Sequence, residues 1–317
     1  MLSRVADALY WAGRYLERAE NTTRLLLVTE DLSTQIRAFS DKLAEAEWAD
    51  LLEIFPGATV PLRTPRRADA LALDHLTAFY SGAVNPYSVA YSLRKARENA
   101  RAVREALSLE VFVNLNETHR ALEEQGQGEF PDLPAARAAL SATHTGLFAV
   151  AGAIEHTLSR DEGWSFLKLG EALERVYRTT AILRAKLPGL LAAGAETELN
   201  HSQWRSLLRG LNSLENYRRL RGARMEPPAI VAFLLFDRHA PRALGFGITA
   251  VQDALARLAG DRALTAPVRI VGRLHAQISY GDAAALARAE ALLPFLDSVL
   301  AELVKVHDAL ETLYFAT

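Results

Sequence analysis

The chain has 317 residues, half of them hydrophobic, and 36 Lys and Arg set against 38 Asp and Glu leave a net charge of −2. That length supports roughly two domain-sized units with a real core, while the charge balance argues against a general binder of nucleic acid or acidic membrane. There is no cysteine, which removes disulfides, thiolate zinc sites, iron–sulfur clusters and cysteine nucleophiles together. Arg4 and Asp7 interrupt the apolar pattern where a signal-peptide core would stand, and the longest apolar run, 229–236, is too short to span a bilayer. The expected compartment is the cytoplasm.

Taken in order, the first segment carries Leu9, Ala12, Leu16, Ala19, Thr23 and Leu26 in steps of three and four, the period of a helix. Glu17, Glu20, Asn21 and Arg24 run beside that stripe as a polar seam. A second helix is predicted over 41–55, stopped by Pro56; Pro56, Pro61 and Pro65 with Arg63, Arg66 and Arg67 then read as a loop. A short helix follows over 71–79. Asn85-Pro86 has the chemistry of an N-cap and first helical residue, opening a long helix from 87 to about 124 that bends near Ser108. Residues 125–134 read as a linker and 135–156 as a helix. Ser159 and Glu162 have the spacing of a capping box, starting a helix that Pro188-Gly189 closes. Trp204, Leu207, Leu211 and Leu214 form a further stripe, ending in the basic run Arg218, Arg219, Arg221 and Arg224. Pro227-Pro228 and Ala240-Pro241 each start a helix, and 282–315 carries the last. The fold class is all-α, a multi-helix bundle.

Part of the first helix returns. GRYLERAENTTRLL from Gly13 and GEALERVYRTTAIL from Gly170 share the frame G-x-x-L-E-R-x-x-x-T-T-x-x-L at an offset of 157 residues. The pairs are Gly13/Gly170, Leu16/Leu173, Glu17/Glu174, Arg18/Arg175, Thr22/Thr179, Thr23/Thr180 and Leu26/Leu183. Ala78-Phe79 followed by Asn85-Pro86 likewise resembles Ala232-Phe233 followed by Ala240-Pro241. The expected organisation is two duplicated helical units, 1–158 and 159–317, related by a pseudo-two-fold within one compact domain.

Familiar chemical motifs are scarce. Gly126-Gln127-Gly128 lacks the strand and helix start of a dinucleotide loop, and no Gly-x-Ser-x-Gly elbow is present. Glu198-x-x-His201 has the spacing of a di-iron ligand pair, but such bundles use two. No metal or cofactor is expected. His144 and His156, twelve apart on one predicted helix, read as core or surface. The Arg218–Arg224 run reads either as a complement to a helix C-terminus or as an anion site, since guanidinium forks grip carboxylates and phosphates.

What remains is a set of Glu/Asn/Arg clusters: Glu20-Asn21 with Arg24, Glu98-Asn99 with Arg101, Glu215-Asn216 with Arg218, and Glu174 with Arg178. Surface ion pairs would give the same spacing for a few tenths of a kcal/mol each. The seam, however, adjoins the apolar stripe, and glycine inside a helix costs about 1 kcal/mol unless something approaches closely. A buried network is therefore expected, with Glu17 and Glu174 enclosed and each bonded to an Arg or Asn of another helix, Arg97, Asn99 or Arg101 for Glu17. Tyr177 occupies the position matching Glu20, which implies that a neutral group is accepted there.

Leu9-Tyr-Trp-Ala-Gly-Arg-Tyr-Leu-Glu-Arg-Ala-Glu-Asn21, Asn85-Pro86, Ala96-Arg97-Glu98-Asn99-Ala100-Arg101, Arg160-Asp161-Glu162-Gly163-Trp164, Leu173-Glu174-Arg175 and Pro241-Arg242 together resemble the bacterial alpha-E domain family. The resemblance implies an all-helical domain encoded beside, or fused to, a circularly permuted ATP-grasp protein, with a transglutaminase-like protease nearby, and hence amide or peptide-bond chemistry on a metabolite, peptide or protein. Two readings follow. As an accessory component, the chain would hold the ATP-grasp partner, or a peptide or amino-acid substrate. As an enzyme, Glu17 or Glu20 would be the general acid or base, Arg24, Arg97 and Arg101 would fix a carboxylate or phosphate, and Asn21 or Asn99 would orient it. Arg18, Arg94, Glu98, Arg160, Glu174 and Arg175 complete the expected binding set. No nucleophile, metal site or nucleotide loop is read, which favours the accessory component.

Overall fold

The computed structural model describes residues 1–316 other than 63–68, 83–84, 126–128, 194–196, 261–263 and 287–288, and no side chains at 283, 284 and 289. The expected loop residues Arg63, Pro65, Arg66 and Arg67, and the Gly126-Gln127-Gly128 segment, lie outside the described residues. Every regular element among those described is helical, and none is long and apolar enough to cross a membrane. The chain forms two compact units, Met1–Glu171 and Ala172–Thr317.

The first unit contains α1 (Ser3–Arg37), α2 (Asp41–Ile54), α3 (Ala70–Tyr80), α4 (Val89–Ala102), a 3-10 turn (Arg104–Ala106), α5 (Leu109–Gln125), α6 (Leu133–Thr157) and the start of α7 (Glu162–Ala192). Helix α1 packs against α2, α3, α4 and α6. Enclosure on that many sides buries Glu17, Glu20, Asn21 and Arg24 along with Leu9 and Leu26. Trp48 of α2 shows how polar atoms survive there: its indole N–H donates to Ser33 of α1 at 2.9 Å.

Helix α7 crosses α1 at the two matched glycines. A Cβ at Gly13 would fall on the Leu167 carbonyl oxygen and stand 3.0 Å from the Glu171 nitrogen. One at Gly170 would fall on the Tyr10 carbonyl oxygen and stand 3.2 Å from the Arg14 nitrogen. The backbones are too close for any side chain, which is the close approach that justifies a glycine mid-helix.

Several boundaries differ from the sequence reading. The predicted 87–124 helix is broken between α4 and α5 by the 3-10 turn. Asn85 is not the N-cap of α4; Ser88 is, accepting from Tyr91 N at 3.1 Å. Asn85 instead accepts from Tyr87 N at 3.0 Å and donates to the Ala78 carbonyl. Ala240-Pro241 misleads in the same way, since α11 (Leu244–Ala259) begins only three residues beyond that proline. Each proline stands in a turn, because the residue before a proline is driven out of the helical region. At α7 the capping group is Asp161, which accepts from Trp164 N at 2.9 Å, where Ser159 was expected. Pro188 does not end α7, which runs on to Ala192.

The second unit contains the rest of α7, α8 (Glu198–Gly210), α9 (Leu214–Arg221), α10 (Pro227–Phe236), α11, α12 (Ala266–Ser279), α13 (Ala283–Leu286) and α14 (Ala289–Leu310), closed by a π turn (Glu311–Phe315). Helices α11, α12 and α14 pack in succession, with α10 against α11, α12 and α13. The stripe Trp204, Leu207, Leu211 and Leu214 is buried throughout, although Asn212 at φ 46° ends α8 and restarts the chain as α9. Gly247 of α11 admits Val176 of α7, whose Cγ2 would lie 2.5 Å from a Cβ there.

Candidate functional site

The polar seam of α1 meets α6. Glu20 and Arg24 are one helical turn apart, and Arg24 donates through Nε to Glu20 Oε1 at 3.0 Å and through Nη2 to Oε2 at 3.4 Å. His144 of α6 adds a third group, its Nε2 3.2 Å from Glu20 Oε1. Further along the same two antiparallel helices, Arg137 of α6 donates to Glu30 of α1. The carboxylate and guanidinium are enclosed, while the imidazole side chain is 21% exposed and lies edge-on to Phe148, ring centroids 4.7 Å apart. Of Glu20, Arg24 and His144, the imidazole is thus the most open to the surface. The sequence reading took His144 as core or surface; the available signal was its seven-residue spacing from Arg137, which aligns both on one face of α6.

Asn21 is fully enclosed, with neither amide atom hydrogen-bonded to the protein. It stands four residues after Glu17, where Arg178 stands after Glu174. Arg178 donates Nε to Glu174 Oε1 at 2.9 Å with the carboxylate side chain 0% exposed and the guanidinium 3%. Glu17 is buried as expected, but the α4 groups expected to meet it are turned elsewhere. Arg97 donates to Asn116 of α5, Asn99 donates to the Lys95 carbonyl, and Arg101 is exposed. Arg94 and Glu98 are exposed too: Glu98 accepts from Lys95 at 2.7 Å and Arg94 stands over the Tyr91 ring. Arg18 is half-buried over Tyr15, and Arg175 is half-buried on α7. Arg160 is a surface residue that donates to the Glu155 carbonyl and carboxylate and stacks on Trp164. The expected set therefore divides into a buried α1–α6 cluster, a buried α7 pair and an exposed α4 face. Glu20 takes the buried Arg24 guanidinium through both oxygens, whereas at the matching Tyr177 the buried Arg178 guanidinium stands over the ring, 5.3 Å from its centroid.

Beside the α4 face, His119 of α5 lies 3.3 Å from Glu123. Burial pushes its pKa below the ordinary 6.5, helped by Arg97 and Arg94 and opposed by Glu123 and Glu98. A depressed folded-state pKa means that the native state binds fewer protons. The stability it contributes is present above about 6.5 and lost as pH falls through the folded-state value. Urea unfolding from pH 7.5 down to 5 is expected to show that loss, and His119→Gln to flatten it; identical pH slopes for the two proteins would exclude His119 as the cause.

Among the described residues, no group of three or more His, Asp or Glu is arranged to hold a metal ion. The arrangement is an all-helical scaffold with the enclosed pairs Glu20–Arg24 and Glu174–Arg178, and with Glu-Arg at 17–18 and at 174–175 carrying a buried Glu and a half-buried Arg each time. Residues 1–315 match the family model Alpha-E, described as a predicted alpha-helical domain with a conserved ER motif, and the chain belongs to that family. It is 29% identical over 289 residues to the uncharacterized protein Mb2597 of Mycobacterium bovis, a match covering 87% of this chain and 32% of the relative. It is 28% identical to the uncharacterized protein Rv2567 of Mycobacterium tuberculosis over the same shares. The chain thus spans about a third of the length of these relatives. No solved structure matches.

Proposed function

We propose that the chain is an accessory component of an ATP-grasp-linked system that forms or modifies amide or peptide bonds, acting in the cytoplasm by holding the partner enzyme or its peptide or amino-acid substrate. The observation that carries this reading is the state of the seam carboxylates: Glu20 and Glu174 each bond a guanidinium of their own helix in an enclosed setting. A carboxylate so committed is enclosed and shut off from a substrate, which suits a framework better than a proton-transfer site. The exposed charges of α4, Arg94 and Arg101 among them, are left for a partner's surface. The resemblance to the alpha-E family supplies the ATP-grasp partner, and the relatives' remaining two thirds are where a fused partner would sit.

A duplication underlies this architecture in our reading. What supports it is reciprocity: Gly13 touches the carbonyl three residues before Gly170 and the nitrogen one after it, and Gly170 touches the same two atoms around Gly13. Thr23 and Thr180 also donate to the carbonyls of the matched Ala19 and Val176, at 2.7 and 2.8 Å. The helix order agrees, α4, α5 and α6 packing in succession as α11, α12 and α14 do.

The alternative, an enzyme using Glu20 as acid or base, is favoured only by the open imidazole beside it. His144→Gln separates the two, because it keeps a hydrogen-bonding group while removing the titratable ring. Purified with the ATP-grasp protein of the same genome, the variant is expected to form the complex and to keep turnover within a few-fold. A fall beyond about a hundredfold with binding intact is the size of a lost general acid or base and would overturn the accessory reading, as would failure of the native pair to associate.

A further inference from the structure

The second unit contains a cleft of about 490 Å³ that the seam does not touch, lined by residues of α9, α10, α11, α12 and the turns that follow α10 and α12. That volume lies within the range of small-molecule sites. Its walls are apolar: Leu220, Phe233, Phe236 and Ile278. Two guanidiniums share the lining, Arg221 at the end of α9 and Arg238 just beyond α10. Both are exposed, and neither is ion-paired among the described residues. The one carboxylate in the lining, Asp237, is engaged elsewhere, its Oδ1 accepting from His239 N at 2.8 Å and Ala240 N at 2.7 Å.

Apolar walls with two uncommitted guanidiniums select a ligand that is apolar over most of its body and negative at one end. A cation would be repelled, and a neutral apolar group would leave both forks unused. A carboxylate matches the planar, multi-donor geometry of guanidinium. We infer that this cleft is a binding site for an apolar carboxylate, either a free acid or the C-terminal residue of a peptide, with Arg221 and Arg238 as its anion anchors. The basic run at the end of α9 then includes an anion-site residue as well as a complement to the helix terminus.

Titration calorimetry on the full chain tests the inference with four probes: 3-phenylpropionate, its neutral amide, the peptide Gly-Gly-Gly-Phe, and that peptide amidated at its C-terminus. At least one acid is expected to bind saturably and its amide at least tenfold more weakly; if both acids bind, the tighter one identifies the source. Arg221→Gln with Arg238→Gln should weaken the acid at least tenfold, and Ala232→Trp, which fills the cleft from α10, should abolish binding. Circular dichroism checks that each variant keeps its helix content. No saturable binding by either acid, equal binding of acid and amide, or native affinity in the double variant would each overturn the assignment.

Discussion

Gly13→Ala and Gly170→Ala are each expected to lower the unfolding free energy by about 3 kcal/mol or more, opposite in sign to what helix propensity alone would give. Alanine is favoured over glycine inside a helix by about 1 kcal/mol. Overpacking costs typically 1–3 kcal/mol, and more where nothing can yield. Here the new methyl meets the backbone carbonyl of Leu167 or Tyr10, and a backbone atom inside a helix cannot rotate aside as a side chain can. The helices must separate, loosening the packing of the aromatic and leucine side chains around the crossing. Gly152→Ala on α6 is the control, because its Cβ would meet nothing within 4 Å, so a gain of up to about 1 kcal/mol is expected. Urea denaturation of the three variants measures the contrast. Stabilities at positions 13 and 170 equal to or above wild type would mean that α1 and α7 do not approach this closely.

Glu174→Ala is expected to cost about 3–5 kcal/mol, the range for breaking an enclosed ion pair from one side. The carboxylate is wholly buried and Arg178 is nearly so, so its removal takes a charge-assisted hydrogen bond from a guanidinium held away from water. Desolvation makes the pair itself a weak net stabiliser, and a well-packed apolar replacement of both partners is often neutral or better. Glu174→Leu combined with Arg178→Met should therefore recover most of the loss, giving a large coupling energy in a double-mutant cycle. A single-variant loss under about 1 kcal/mol, or a double variant as unstable as the single, would show that the pair is not the enclosed network described.

The parts of this fold legible in the sequence are those written in local spacing. The three-and-four steps at Leu9, Ala12, Ala19 and Leu26 gave α1, and the recurrent Gly-x-x-Leu-Glu-Arg frame pointed to the glycine crossing and to the buried Glu17 and Glu174. Helix starts at Asn85-Pro86, Ser159 and Ala240-Pro241 were misread because turn and cap chemistry share the same residues; only the path of the following backbone decides which one forms. The α1–α6 cluster was half legible. Glu20 and Arg24 carry their spacing on one helix, whereas His144 enters from more than a hundred residues away, by a tertiary contact that local periodicity does not encode. Arg97 and Arg101 were assigned to Glu17 by charge alone, but α4 presents its apolar face, with Leu93, Ala96 and Ala100, to the core and carries those arginines away from it.

The crossing of α1 by α7 also sets an order of events during synthesis. Helix α1 leaves the ribosome before α7, and the segment that covers Tyr10, Gly13 and Arg14 follows roughly 157 residues later. At translation rates of about 5–20 residues per second, the face of α1 around Gly13 waits on the order of ten to thirty seconds for its cover. The same charges that must be paired once enclosed, Glu17, Glu20 and Arg24, keep that waiting helix hydrated. A purely apolar α1 would pack as well in the finished domain but would spend the interval as a sticky surface on a nascent chain.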